Sequence, residues 1–239
     1  MALQLVSPVP GDTTLRLNYN HWPGRGNLPT SAWPEGPIWR DRYVIPLPAG
    51  EYVTGAWRVQ VAMIDPQSGQ RVPVQQAGAP VGDAASLEML RVPDGNPTLF
   101  TDGQHPPDSP RFGEAAELRA YHIERNPTAW HVALAWESVA PLAADYTVFV
   151  HAYDAEGNLL ATGDGPPRSG HFPTSLWQPG DRIFDAHTLT MKDIAEDAVA
   201  QIAVGLYDPA TGERLPARIE NKAGAPLPHN AVILWKSQP

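Results

Sequence analysis

The side chains able to do chemistry are thinly spread in this sequence. His151, His171 and His187 share the C-terminal half with Asp154, Asp164 and Asp185, the residue types of a metal or acid–base cluster. No two of these histidines stand at the His-x-His or His-x3-His spacing that presents both rings to one ion, so they read as scattered surface histidines. The chain has no Gly-x-Ser-x-Gly, no glycine-rich phosphate loop and no His-Glu-x-x-His. Without cysteine it has no thiolate nucleophile and no thiolate metal site. Asp65 and Asp208 open Asp-Pro-x-Ser/Thr-Gly strings, in which every residue has a turn role, so these read as turns and not as calcium loops. No catalytic residue, metal or cofactor is therefore expected.

Binding chemistry is better represented. Trp22, Trp33 and Trp39 fall within eighteen residues, with His21 and Arg25 beside them. Indole faces stack on sugar rings while neighbouring polar groups bond the hydroxyls. The string Pro-Thr-Ser-x-Trp occurs at 29–33 and 173–177, placing Trp33 and Trp177 next to hydroxyl groups. Trp22, Trp33, Trp39, His21, Arg25 and Trp177 are thus the candidate ligand-binding residues. The competing reading is that Trp33 and Trp177 plug the end of a sandwich and that the other rings cover an open sheet edge.

These residues must be positioned by strands. The 27 prolines are about twice the usual share and are spread along the chain, which argues against long helices. One unit occurs twice, in residues 3–92 and 147–238. Pro29 to Gly36 overlies Pro173 to Gly180 at an offset of 144, Asp65 to Pro73 overlies Asp208 to Pro216, and Ala77 to Pro80 overlies Ala223 to Pro226. A period this long means tandem domains and not a solenoid.

In the second copy, 130–137, 146–153 and 201–207 alternate apolar and polar residues, and Asp/Gly turns close the runs. With 116–124, 159–163, 182–189, 214–219 and 231–236 this makes about eight strands, as in an antiparallel sandwich. The fold expected is all-β, two tandem antiparallel β-sandwich domains of immunoglobulin or jelly-roll type. Residues 1–95 form the first, 96–111 a Pro-rich linker and 112–239 the second. Nothing in the first copy corresponds to 116–124 and 130–137, so it lacks its opening strands. That predicts excision from a longer protein, the alternative being a natural start with a smaller, partly open first sheet whose strand edge needs cover.

The strings Tyr146 to Asp154, Asp164-Gly-Pro-Pro167, Pro173 to Gly180 and Gly205 to Pro216 resemble the soluble region that follows the membrane-embedded part of bacterial glycosyltransferases of the dolichyl-phosphate-mannose-protein mannosyltransferase-like kind. The resemblance covers the second copy and the first from about residue 13. It implies a β-sandwich appendage outside the cytoplasmic membrane, part of a larger membrane protein, with a glycan or the membrane-embedded glycosyltransferase domain as partner. It carries no catalytic position onto this chain.

A formal net charge of −9 removes the even attraction that drives nucleic-acid binding, and no apolar run approaches the ~18 residues a membrane helix needs. The expected function is a non-catalytic accessory or carbohydrate-binding-like module. The alternative is a purely structural protein-interaction β-sandwich domain. A glycoside hydrolase would require two carboxylates facing each other about 5–9.5 Å apart.

Overall fold

A computed structural model describes residues 1–9, 11–12, 14–27, 29–38, 40–46, 54–92, 98–219 and 224–237. Two compact units divide the chain, Met1–Val92 and Pro93–Pro239. No helix among the described residues is long and apolar enough to cross a membrane.

The first unit contains β1 (Ala2–Val6), β2 (Leu15–Asn20), β3 (Gly55–Ala62), β4 (Val74–Gln76), β5 (Ala79–Gly82) and β6 (Ala85–Val92). Four of them form one antiparallel sheet in the order β2-β1-β3-β6, and β4 and β5 form a separate hairpin. The second unit contains β7 (Pro110–Phe112), β8 (Ala116–Arg125), β9 (Ala129–Ser138), β10 (Thr147–Tyr153), β11 (Leu159–Thr162), β12 (Arg182–Thr190), β13 (Gln201–Tyr207), β14 (Ala217–Ile219), β15 (Ala225–Pro226) and β16 (Val232–Lys236). Its sheets run β11-β10-β13-β16 and β12-β9-β8-β7-β14-β15. The all-β class is as the alternation predicts, and the four-stranded sheet of the second unit repeats the strand order of the first.

The two sheets of the second unit pack face to face. Val148, Val150 and Ala152 of β10 and Ile202, Val204 and Leu206 of β13 are buried, as are Leu118, Leu134, Trp136 and Ile183 of the six-stranded sheet. Trp130 meets Trp235 edge to face at 5.3 Å, and the Tyr121 hydroxyl donates to the Leu234 carbonyl at 2.7 Å. Both contacts tie one sheet to the other. The stretch read as a linker carries a turn of helix at Leu99–Asp102, and Gln104 exchanges backbone hydrogen bonds with Tyr121 of β8. That pairing draws the segment onto the second unit.

No second layer covers the sheet of the first unit among the described residues, and the counterpart of β12, at 38 and 40–46, forms no strand there. The strand β12 exists because β9 pairs with it from Thr190↔Ala129 to Arg182↔Glu137. Among the described residues no strand pairs with the corresponding backbone of the first unit.

The ladders also correct the alignment of the first strand. Leu3 pairs with Tyr19 and Val61, whereas the matching positions Gly163 and Val204 pair with Val150. Leu3 therefore sits where Val150 sits, an offset of 147. The loop 7–14 after β1 has eight residues and the loop 154–158 after β10 has five, which absorbs the difference.

Candidate functional site

The repeated residues turn out to be scaffolding. Asp185 accepts from the Arg168 amide at 2.8 Å, and Asp41 accepts from the Gly24 amide at 2.7 Å. In each unit this bond anchors a 3-10 turn, Pro167–Gly170 or Pro23–Gly26, whose central residues have positive φ. The residue two places on closes the same carboxylate: His187 Nε2 lies 2.7 Å from Asp185, and the Tyr43 hydroxyl donates to Asp41. Tyr43 is pushed up to about 12, first by desolvation and then by that bond, while Asp41 is held below its ordinary value chiefly by the same hydroxyl. Burial opposes the charge on His187, but Asp185, the Gly163 carbonyl and Asp164 together outweigh it and the net shift is upward. The Asp65 and Asp208 turns share their main bond: each carboxylate takes the amide two residues on, at 2.7 Å in Gln67 and 2.8 Å in Ala210, and Asp65 also accepts from the Ser68 amide at 3.2 Å.

The candidate tryptophans separate. Trp22, 60% exposed, lines a cleft of about 540 Å³ with Thr30, Ser31 and Gln67. Trp33, 40% exposed, lines a different depression of about 400 Å³ with Arg40 and Tyr43, floored by Leu3, Val61 and Leu87. Trp39 lies outside the described residues. His21 stacks on Tyr19 at 5.6 Å and meets Tyr43 edge-on at 4.8 Å, while Arg25 is exposed in its turn. Trp177 is the correction. Only 1% exposed, it donates Nε1–H to the Phe172 carbonyl at 2.9 Å and packs 6.5 Å from Trp136, so no ligand reaches it. Thr174 of the same string is also buried, accepting from the Tyr146 amide and donating to the Ala144 carbonyl, both at 2.8 Å.

The three histidines of the second unit do not converge. His187 is bound to Asp185, His171 hydrogen-bonds the Arg168 carbonyl at 3.0 Å, and His151 faces the other side of its sheet. That outer face holds the arrangement that sequence spacing missed. Phe149, His151 and Tyr153 alternate outward from β10. Asp164 lies 3.0 Å from His151 Nε2, and the Tyr153 hydroxyl lies 3.0 Å from His151 Nδ1. A carboxylate only accepts, so in the neutral imidazole Nε2 carries the proton and Nδ1 accepts from Tyr153. The Arg214 guanidinium lies 4.1 Å over the Phe149 ring, donates to the His229 carbonyl at 3.0 Å and approaches the Tyr153 oxygen at 3.5 Å.

This line of side chains fixes Tyr153 and Arg214 at the wall of a cleft of about 740 Å³. Gln201, His229 and Lys236 add polar groups, and Pro107, Pro110, Leu227 and Ile233 supply apolar surface. Among its described lining residues there is no carboxylate. The unit around it carries 10 Lys and Arg against 19 Asp and Glu, so a cleft free of acid is a local inversion of charge. Arg214 has a counterpart in Arg71, but His151, Tyr153 and Asp164 correspond to Gln4, Val6 and Asn20. The site is therefore particular to the second unit. Its one visible sign in the sequence is a strand whose outward positions carry Phe149, His151 and Tyr153 and not small polar residues.

The chain matches no protein-family model, no curated protein and no solved structure.

Proposed function

We propose that this chain is a non-catalytic carbohydrate-binding accessory module whose second unit holds the binding cleft, and that the ligand is an acidic sugar chain. The observation that carries this reading is the charge of the cleft: Arg214 and Lys236 line it without a carboxylate among the described lining residues, in a unit with nine more acidic than basic side chains. Pre-organised cations beside apolar and aromatic surface suit a ring that bears a carboxylate or phosphate. Arg214 is held by His229 and Phe149, and Tyr153 by His151, so little ordering is required when a ligand enters. Association with a membrane-embedded glycosyltransferase, on the outer side of the cytoplasmic membrane, is supported by the sequence resemblance. Co-purification of the chain with such an enzyme from solubilised membranes checks that association, and recovery of the chain alone overturns it.

The cleft is tested by calorimetric titration of the full chain with uronic-acid oligosaccharides, with phosphorylated oligosaccharides and with neutral mannose oligosaccharides. Binding of an acidic series that weakens with salt supports the reading, and Lys236→Gln should weaken it about three- to tenfold. Equal binding of neutral and acidic sugars, or none of either, overturns it. The exposed Trp22 favours a second, neutral-sugar platform in the first unit. Its mark is quenching of tryptophan emission by neutral oligosaccharides that Trp22→Ala removes and Lys236→Gln leaves in place.

A further inference from the structure

Given an acidic-sugar site in the cleft of the second unit, on which this rests, we propose that the acid it holds is a ring carboxylate. The ligand is then a uronic-acid oligosaccharide, and Asn230 is the residue that leaves the place of the carboxylate open. The first unit shows within the same fold where a carboxylate sits. Arg71 and Arg214 hold equivalent places, each in an isolated bridge, with Ile64 in one unit and Tyr207 in the other. Arg71 donates to the Gln4 side-chain oxygen at 2.7 Å and meets the Asp83 carboxylate at 3.4 Å. That ion pair is exposed and contributes little to stability, but it sets a planar monoanion beside this cation.

In the second unit that carboxylate is replaced. The equivalent residues Val61 and Val204 pair with Ala85 and Val232, which makes Asn230 the counterpart of Asp83. The Asn230 side chain accepts from the Ala217 amide at 3.2 Å, and no carboxylate stands among the described residues that line the cleft with Arg214. Lys236 stands where the first unit has Met89, so along one cleft the second unit carries an acid fewer and a base more. Tyr153 narrows the chemistry further. Its hydroxyl gives its proton to His151 Nδ1 at 3.0 Å, and toward Arg214, 3.5 Å away, it presents an oxygen that accepts. An acceptor beside a cation suits a hydroxyl beside a carboxylate, and a uronic-acid ring carries both. The oxygens of a phosphate ester find no donor at Tyr153. The side chain of an acidic peptide brings a carboxylate without the hydroxyl.

The test is calorimetric titration of the full chain, at about 0.15 M salt, with four probes. These are an oligogalacturonate, the same oligosaccharide after carboxyl reduction, a phosphorylated mannose oligosaccharide and oligoglutamate. The oligogalacturonate should bind at least about tenfold more tightly than each of the others. Asn230→Asp restores the carboxylate of the first unit and should weaken that binding at least about tenfold, because the chain's own acid then competes for the place. The substitution suits the backbone, since φ at this position is 52° and Asp, like Asn, tolerates that region and still accepts from the Ala217 amide. Its melting temperature should equal or exceed that of the parent. Where it melts lower, Arg214→Lys reads the same place: it keeps the charge without the planar fork and should also weaken oligogalacturonate at least about tenfold. Equal or tighter binding of the phosphorylated chain, or unchanged affinity in these variants, overturns the carboxylate and leaves the acidic-sugar site standing. Binding of neither acidic sugar, or equal binding of oligoglutamate, overturns both.

Discussion

The cleft of the second unit depends on a missing methyl group. Phe149 and Gly205 are direct cross-strand partners, and a Cβ built on Gly205 falls 2.5 Å from the Phe149 ring and 2.8 Å from the Asn230 carbonyl oxygen. The carbonyl belongs to backbone that cannot yield cheaply, so the ring must move, and Arg214 lies on that ring at 4.1 Å. Gly205→Ala should therefore cost about 2–3 kcal/mol of overpacking, with up to ~1 kcal/mol more as the cation–π contact is lost. For a unit of this size about 3 kcal/mol corresponds to a fall in melting temperature of roughly 6–12 °C. The corresponding pair in the first unit is Ala2 and Ala62, a small residue on each strand in place of one large and none. Phe149→Ala alone leaves a hole and should cost about 3–5 kcal/mol. Combined with Gly205→Ala it recreates the first-unit pair, so the double variant should be more stable than the sum of the singles by about 2 kcal/mol. Urea denaturation followed by near-ultraviolet circular dichroism measures all four corners. Additive costs, or a Gly205→Ala midpoint equal to that of the parent chain, would refute the reasoning.

Other outcomes follow from the same contrasts. His187 has a raised folded-state value because Asp185, the Gly163 carbonyl and Asp164 together outweigh its burial, so its contribution to stability is complete below the unfolded value of about 6.5 and is lost as pH rises through the folded one. Urea midpoints between pH 6 and 9 should fall in the parent relative to His187→Gln, and parallel profiles would contradict this. Thr174→Val strands the Tyr146 amide and the Ala144 carbonyl and should cost about 2–3 kcal/mol, whereas the repeat-related Thr30→Val at an exposed site should stay within ~0.5 kcal/mol. Equal midpoint shifts would show that the two strings are not packed differently.

Much of the fold was legible because it is local. Alternation at Trp130, Val132, Leu134 and Trp136 needs only the two-residue period of a strand, and the Asp65 and Asp208 turns close within five residues. The register of the first strand was not legible. An offset of 144 fits the flanks, but the ladder requires 147, and an odd slip moves every side chain to the other face. At the wrong offset Leu3 aligns with the outward Thr147, while the structure sets it inward with Val150. The candidate site escaped for a related reason. Tyr153, Arg214, His229 and Lys236 come from separate segments, and only the pairing of β10 with β13 and β13 with β16 gathers them. Trp22 and Trp33 are close in sequence and still face separate clefts.

Comparison of the two units separates what the fold requires from what it permits. Asp41 and Asp185, the turns they hold, and the Asp65 and Asp208 loops keep their bonds in both, so selection for the fold is enough to explain them. At the outward positions of the shared sheet the units diverge together: Phe149, His151, Tyr153 and Asp164 stand where Ala2, Gln4, Val6 and Asn20 stand, and Gly205 replaces Ala62 to make room. A coordinated change of five side chains, one of them the loss of a Cβ that would collide with another, is not needed to close a sheet that closes without it in the first unit. On the inward face the divergence runs the other way, with Leu87 and Leu234 alike in type and opposite in exposure. The second unit has therefore covered its inward face and elaborated its outward one, while the first presents its inward face. One strand order thus carries two different surfaces, a cleft lined by Arg214 and Lys236 in one unit and an apolar sheet face in the other.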